Sequence, residues 1–163
     1  MTTTDSRTGL LAEEQIERYS RQLILKQWGS KQQACLSGLT ASVPCSLKSA
    51  AVYLAAAGIG RIILFGSSEA QTTLQTFLAK LNPDCTVVLA DASAEPTEIT
   101  VEGPGFGRVK IYAPLPSSNA LRSSSGKSQT REHTLKWIPE SLYTGILAAG
   151  LVLREVAEPT VAE

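Results

Sequence analysis

A helix that ends in a glycine and runs directly into an apolar strand is the feature that most constrains this fold. The segment SLKSAAVYLAAAGIG, residues 46–60, has an alanine-rich body, with Ser46 in the position of an N-cap and Gly58 in that of a C-terminal cap. The next residues, RIILF at 61–65, form a continuous apolar and β-prone run, which is typical of a buried parallel strand. Together these segments predict a helix followed by a buried strand.

The same order occurs a second time and predicts an α/β layer. A helix over about 72–81 leads into an Asn-Pro-Asp turn and a strand at 86–89. Repeated alternation of this kind favours a parallel sheet with flanking helices. Apolar residues at helical spacing also predict a helix over about 12–24. Residues 39–44 predict a short strand that is weak or ends by Val43, because Pro44 cannot donate to a sheet ladder.

The second half of the chain has weaker signals. Residues 108–113, RVKIYA, alternate apolar and polar side chains, which predicts a half-exposed strand in a hairpin or at an edge. The preceding GPGFG, residues 103–107, is predicted to be a turn and not a phosphate loop, because a strand rather than a helix follows it. The Ser-rich residues 116–131 are predicted to form a disordered loop, and residues 141–158 a helix buried against the sheet.

Length and composition indicate a single folded domain. The chain has 163 residues, of which 43% are hydrophobic, and we expect a disordered tail at 1–9 and one domain at 10–157. Fifteen basic residues balance fifteen acidic ones, so no net field attracts nucleic acid or an anionic membrane. Three cysteines without a C-x-x-C pair, and a single histidine, signal neither a disulfide framework nor a zinc site. With no secretory signal and no bilayer-length apolar stretch, we expect a cytoplasmic protein.

Two motifs resemble the ThiF/MoeB/HesA family of ubiquitin-activating-type adenylyltransferases. Residues 18–22 read RYSRQ, like the family's R-Y-x-R-Q helix, and residues 53–60 read YLAAAGIG, like its Y-L-A-x-A-G-V-G helix–strand junction. They occur in the family's order, and the pieces LNPDCTV, GRVKIYAP and TGILAAGLVLREV also look similar to the family. The resemblance touches most of the chain, with large internal deletions. It implies a reduced Rossmann-like, mostly parallel α/β sheet with flanking helices.

The resemblance also implies that the family's nucleotide site has degenerated here. The family enters the helix through a glycine-rich turn, because bare backbone lets phosphate approach the helix amides, but this chain reads VPCSLK at 43–48. Gly66 stands where the family has a ribose-binding Asp, although Glu69 lies close by. The arm that clamps the triphosphate is deleted between Glu69 and Thr72, and so is the magnesium-binding loop. We therefore expect no cofactor, no metal site and no catalytic residue.

One functional position of the family is kept at Arg21, which there reaches across a dimer toward the partner subunit's ATP. Arg21 is therefore a candidate for a nucleotide contact in trans. The alternative is an ordinary surface arginine that pairs with Glu14 or Glu17 on its own helix. The resemblance implies a homodimer, or a heterodimer with a full-length ThiF/MoeB-type relative, and a ubiquitin-like carrier protein is a further candidate partner.

The resulting function is a catalytically degenerate binding or scaffolding subunit in a ubiquitin-like or sulfur-carrier pathway. The alternative is an active adenylyltransferase that uses ATP and magnesium on the C-terminus of a carrier protein, with Lys48, Glu69 and Arg21 improvised into a site. A truncated gene product without a settled function is the third hypothesis.

Three further side chains have expected roles. Cys45 is expected to be a small buried hydrophobe and not a reactive thiolate, because no histidine is near it in sequence. Trp28 and Trp137 are expected to anchor the core or its rim.

Overall fold

The computed structural model of the chain describes residues 11–26, 28–91, 96, 98–112, 130–134 and 141–157. In chain order the elements are α1 (Glu13–Leu23), α2 (Ser30–Ser37), β1 (Thr40–Pro44), a 3₁₀ turn (Cys45–Leu47), α3 (Lys48–Ala57), β2 (Arg61–Phe65), α4 (Ser68–Leu81), β3 (Thr86–Leu89), β4 (Glu98–Gly103), β5 (Gly107–Tyr112), β6 (Thr130–Thr134) and α5 (Ser141–Ala157).

The strands form one six-stranded sheet in the order β3-β2-β1-β4-β5-β6. The β1–β2, β2–β3 and β5–β6 pairs are parallel, while β4 runs antiparallel to both β1 and β5. All strands except β4 therefore point the same way. This confirms the predicted mostly parallel, reduced Rossmann-like sheet with flanking helices.

The predicted junction between α3 and β2 is present, with one correction at the start of the helix. Gly58 ends α3 with φ +103°, and its amide donates to the carbonyls of Leu54 and Ala55. The N-cap of α3 is Leu47 and not Ser46, because the 3₁₀ turn precedes the helix, and no side chain caps it.

Two other boundaries differ from the prediction. The expectation that the strand at 39–44 is weak or ends by Val43 is wrong, because β1 runs to Pro44 and pairs with β2 on one side and with β4 on the other. Pro44 is tolerated because it is the last residue of β1, and the register with β4 ends two residues earlier, at Ser42. The helix α4 begins four residues before the predicted start, because Ser67 caps it by accepting a hydrogen bond from the amide of Ala70.

Three elements were not predicted from the sequence: α2 in the first half of the chain, and β4 and β6 in the second half. Of the two alternatives for the strand at 108–113, the hairpin is confirmed, because β4 and β5 pair and the amide of Phe106 donates to the carbonyl of Gly103 at 3.1 Å to close the turn. The edge position is wrong, because β6 pairs with the other side of β5. Of the predicted Ser-rich loop, Thr130 and Arg131 belong to β6, whereas residues 116–129 lie outside the described residues, as does the predicted tail at 1–9.

One face of the sheet packs against helices and forms the core. The side chains of Ala41 and Val43 in β1 and of Ile62 and Leu64 in β2 are fully buried there, under α3. The helix α3 in turn packs against α4 and α5. The opposite face, which we call the open face, is only partly buried in the part of the chain that the structure describes.

The predicted burial of the last helix is correct on one side only. Ala149, Val152 and Val156 are buried in the core, but Leu147 is 43% exposed. Trp28 lies in the core, as expected, whereas Trp137 lies outside the described residues. Among the described residues, no helix has the length and apolarity needed to cross a membrane.

Candidate functional site

The strand β1 is where the order of the chain through the sheet reverses. Its neighbours are β2, which follows it through α3, and β4, which comes from the second half of the chain. Open α/β sheets bind their ligands in the crevice beyond the carboxyl ends of the strands at such a point. The candidate site is therefore built from the end of β1 with its following turn, residues 44–48, and from the end of β2, residues 65–69.

The turn from β1 into α3 offers little of what a phosphate group needs. Pro44 has no amide hydrogen, and each residue of the 3₁₀ turn, Cys45–Leu47, carries a side chain. Phosphate-binding turns use glycine so that the ligand can approach the backbone, but residues 40–57 contain no glycine. The charge that remains is Lys48, the exposed first residue of α3.

The side chain of Cys45 lies directly against the backbone of Gly66, the residue that follows β2. A Cβ atom on residue 66 would come within 2.9 Å of the Cys45 Cβ and 3.2 Å of its Sγ. Gly66 is buried and adopts φ +146°, a conformation that side-chain-bearing residues rarely adopt. Gly66 stands where the family has a ribose-binding Asp. A carboxylate side chain does not fit at this position, because the backbone conformation disfavours a side chain and Cys45 occupies the space.

The structure brings two of the three charged candidates to this end of the sheet. Lys48 begins α3 after β1, and Glu69 lies in the first turn of α4 after β2. Both side chains are exposed, and each stands at the N-terminal end of a helix. A carboxylate in a first turn is stabilised by the helix dipole, so Glu69 has a structural role that needs no ligand.

Arg21 lies at the opposite end of the sheet. The helix α1 is attached where Tyr19 accepts a hydrogen bond from Asn82 Nδ2 at 2.8 Å and where Arg18 forms an ion pair with Asp84, and both of these partners precede β3. The length of α3, about 15 Å for ten residues, separates that end from Lys48. Within one chain, Arg21 therefore does not complete a site with Lys48 and Glu69.

Arg21 itself is exposed and has no ion-pair partner among the described residues. The pairing with Glu14 or Glu17 that was its alternative role does not form in the described part of the chain. The arginine of α1 that does form an ion pair is Arg18. A contact of Arg21 with a nucleotide in a second subunit stays a prediction.

A shallow groove of about 350 Å³ lies on the open face beside this site. Its lining residues come from β1, β2, β4 and β5 and from a proline two positions before β4: Ser42, Phe65, Pro96, Glu98, Thr100, Glu102 and Arg108. Sequence reasoning missed the groove because it missed β4. The alternation of Glu98, Thr100 and Glu102 with buried Ile99 and Val101 was the signal that could have revealed it.

The charges of the groove are largely neutralised by cross-strand pairs. Arg108 bonds Glu102 at 2.7 Å, and Lys110 bonds Glu98 at 2.8 Å. A triphosphate needs unpaired cations and free amide donors. Among the described residues that line the groove, Arg108 is the cation, and it already bonds a carboxylate. These residues do not supply the unpaired cations that a triphosphate needs.

Two of the three thiols, those of Cys35 and Cys85, have a raised pKa. Burial raises the pKa of Cys35, and burial raises the pKa of Cys85 to about 11, so both stay protonated at neutral pH. Cys45 is half-buried rather than fully buried, which partly agrees with the role of a small hydrophobe. Within the described residues, no group of three or more metal-ligating side chains is close enough to hold a metal ion.

Comparison with known proteins supports the fold and nothing finer. No protein-family model matches the chain, and no curated protein sequence matches it. Among solved structures, it is similar to the crystal structure of Escherichia coli MccB with MccA-N7isoASN, with a TM-score of 0.51 and 14% identity. The alignment covers 86% of this chain and 64% of that one, so the chain spans less than two thirds of the length of the protein that it resembles. The likeness supports the mixed α/β fold of the chain.

Proposed function

We propose that this chain is a catalytically degenerate protein of the ubiquitin-activating type, acting as a binding or scaffolding subunit in a ubiquitin-like or sulfur-carrier pathway. The observation that carries the proposal is the contact between Cys45 and Gly66, which fills the junction where a nucleotide would sit. The fold and the motif of α1 are retained, while the turn after β1 has lost its glycines. A retained scaffold with a filled site favours binding of proteins over chemistry on ATP.

Loss of the charged groups supports the same reading. Adenylation builds negative charge at the α-phosphate, and electrostatic stabilisation of such charge is usually the largest contribution to catalysis. In the described part of the chain, Lys48 is the only basic residue of the turn and the first residues of α3. One lysine leaves most of that charge uncompensated, so we expect no adenylation by this chain alone.

The proposal is tested by titrating the full chain with ATP and magnesium in a calorimeter and by measuring its melting temperature at millimolar ATP. We expect neither heat nor a thermal shift, because a ligand that binds only the folded state must raise the melting temperature. A full-length ThiF/MoeB-type enzyme serves as the positive control. Micromolar binding of ATP by this chain would contradict the proposal.

An active adenylyltransferase is the second candidate, and the position of Lys48 and Glu69 at the same end of the sheet favours it. If ATP binds, the decisive comparison is between Lys48→Ala and Lys31→Ala. Both lysines are exposed and lie in the first turn of a helix, but only Lys48 follows β1. Weakening by Lys48→Ala alone would assign the nucleotide to this site.

The binding role itself needs a protein partner in the assay. We expect the chain to bind a ubiquitin-like carrier protein, or a full-length relative, in the absence of ATP. Sedimentation of mixtures measures this, with a carrier that lacks its last two residues as the control. A single cooperative thermal transition of the chain alone would show that it folds by itself, which contradicts the hypothesis of a truncated product.

A further inference from the structure

The strand β3 ends the sheet on one side, and among the described residues no strand pairs with its outer edge. On its inner edge, the amides of Thr86 and Ala90 each donate at 2.9 Å to a carbonyl of β2 or of the residue before β2. The backbone groups of successive residues in a strand point alternately to its two sides. The amide and carbonyl groups of Val87 and Leu89 therefore point outward, away from β2.

Three of these four outward groups have no hydrogen-bond partner in the part of the chain that the structure describes. The fourth is the carbonyl of Val87, which accepts a long hydrogen bond from Gln75 Nε2 of α4 at 3.3 Å. A row of unpaired amides and carbonyls along a sheet edge is a template for another strand. The outer edge of β3 is therefore able to extend the sheet.

The sequence of β3 does not protect this edge. It reads TVVL, without a charge or a proline, and its side chains Val88 and Leu89, on opposite faces of the sheet, are 40% and 38% exposed. Natural sheets usually guard their edges with charged residues or proline. The strand at the other end of the sheet, β6, has a sequence of that kind, TREHT, with three ionisable residues.

The outward groups specify the chemistry of what binds there. Their spacing of two residues matches the backbone of an extended chain, in which amides and carbonyls alternate with the same period. The exposed side chains beside them are apolar, and a charge placed against them would lose water without gaining a partner. We propose that the outer edge of β3 binds an extended, uncharged segment of a partner protein, which continues the sheet as a further strand.

This inference rests on the binding role proposed above, for which it names a surface and the chemistry of the partner segment. A strand of four residues offers few hydrogen bonds, so the contact is smaller than the interfaces of stable complexes and the binding is weak.

Hydrogen exchange of the isotope-labelled full chain, followed by NMR, measures whether the edge is open. We expect the amides of Val87 and Leu89 to exchange at least roughly tenfold faster than the amide of Val88, which points to β2. Slow exchange at Val87 and Leu89 in the chain alone would overturn the proposal, because the edge would then already be covered.

The probe for binding is a blocked peptide of alternating threonine and valine, with a lysine at each end for solubility. We expect it to slow exchange at Val87 and Leu89 while leaving exchange in α5 unchanged. The control is the same peptide with N-methyl groups on two adjacent central residues, which removes donors from both of its edges. We expect this control to bind roughly tenfold more weakly, because a hydrogen bond contributes about 1 kcal/mol.

A substitution in the chain tests the same hydrogen bonds from the other side. Leu89→Pro removes an outward amide hydrogen but keeps the amides of Val88 and Ala90 that face β2. We expect roughly tenfold weaker binding of the peptide, whereas Leu89→Ala, which keeps the amide, should weaken binding by at most about threefold. If Leu89→Pro does not fold, the comparison of the two peptides decides alone.

Three results would overturn the proposal. The first is no binding of the unmodified peptide at millimolar concentration. The second is equal binding of the N-methylated peptide, which would mean apolar adhesion without strand pairing. The third is self-association of the chain that Leu89→Pro abolishes, because a second copy would then occupy the edge. These measurements use neither ATP nor a carrier protein, so failure of this inference and failure of the proposed function are distinguishable.

Discussion

Cys45 and Gly66, 21 positions apart in the chain, occupy neighbouring space at the carboxyl ends of β1 and β2. The parallel register brings them there, because it pairs Pro44 with Phe65, the two residues that precede them. A Cβ on residue 66 would lie 2.9 Å from the Cβ of Cys45, closer than such atoms approach in real structures. The side chain of Cys45 thus leaves no room for a side chain at position 66.

The first prediction tests this constraint. Gly66→Ala introduces a Cβ at φ +146° against Cys45, and we expect it to lower the free energy of unfolding by about 2–3 kcal/mol. In the Cys45→Gly background, the steric part is relieved while the conformational part stays, so the same substitution should cost about 1 kcal/mol less. Urea denaturation of the four proteins in this cycle gives the coupling. Additive effects would mean that the two residues do not touch.

Features that depend on neighbouring residues in the sequence were predictable, whereas features that depend on strand pairing were not. The junction from α3 through Gly58 into β2 was predicted because the cap, the helix and the apolar run are contiguous in sequence. β4 was missed because a six-residue strand with two glutamates and a glycine has a weak local signal, and its pairing with β1 is more than fifty residues away. The loss of glycines at the candidate site was visible in the sequence. The contact of Cys45 with Gly66 was not visible in the sequence, because it depends on the register of β1 and β2.

The helix α2 was also not predicted from the sequence. Its role in the core leads to the second prediction. Gln33 is fully buried: its Oε1 accepts a hydrogen bond from Trp28 Nε1, and its Nε2 donates to the carbonyl of Ala57, both at 2.8 Å. Gln33→Ala would leave the indole N–H and the carbonyl without partners and open a cavity. We expect a loss of about 2–4 kcal/mol, measured by denaturation and followed by tryptophan fluorescence. Lys31→Ala, an exposed change on the same helix, should cost less than about 0.5 kcal/mol.

The third prediction concerns alkaline pH. Burial raises the pKa of Cys85 from its ordinary 9.0 to about 11, so between these values the unfolded chain has lost a proton that the folded chain still holds. This contribution to stability is fully present below pH 9 and is lost as the pH rises to about 11, by about 2–3 kcal/mol. Burial also raises the pKa of Tyr19 above its ordinary 10.0, which adds to the loss in the same direction.

Denaturation at pH 8 and at pH 10.5 measures this loss, and Cys85→Ala should make the stability fall less steeply with pH. Tyr19→Phe should remove a separate part of the slope. An unchanged pH dependence in the Cys85 variant would show that its thiol ionises as easily in the folded chain as in the unfolded one.

The fourth prediction compares a crowded glycine, Gly60, with an exposed one, Gly150. A Cβ on Gly60 would lie 1.8 Å from the carbonyl oxygen of Ser37, so the end of α2 approaches the α3–β2 turn too closely for any side chain. A backbone atom cannot move aside as a flexible side chain can, and Gly60→Ala should therefore cost about 3 kcal/mol or more. Gly150 is exposed in α5, and no atom of the described residues lies within 4 Å of its Cβ position. Because alanine is the better helix former, Gly150→Ala should stabilise the protein by about 0.5–1 kcal/mol. The same denaturation measurement is made on both variants. A tolerated alanine at position 60 would contradict the packing of α2 against the α3–β2 turn. A destabilising alanine at position 150 would contradict the helical state of α5.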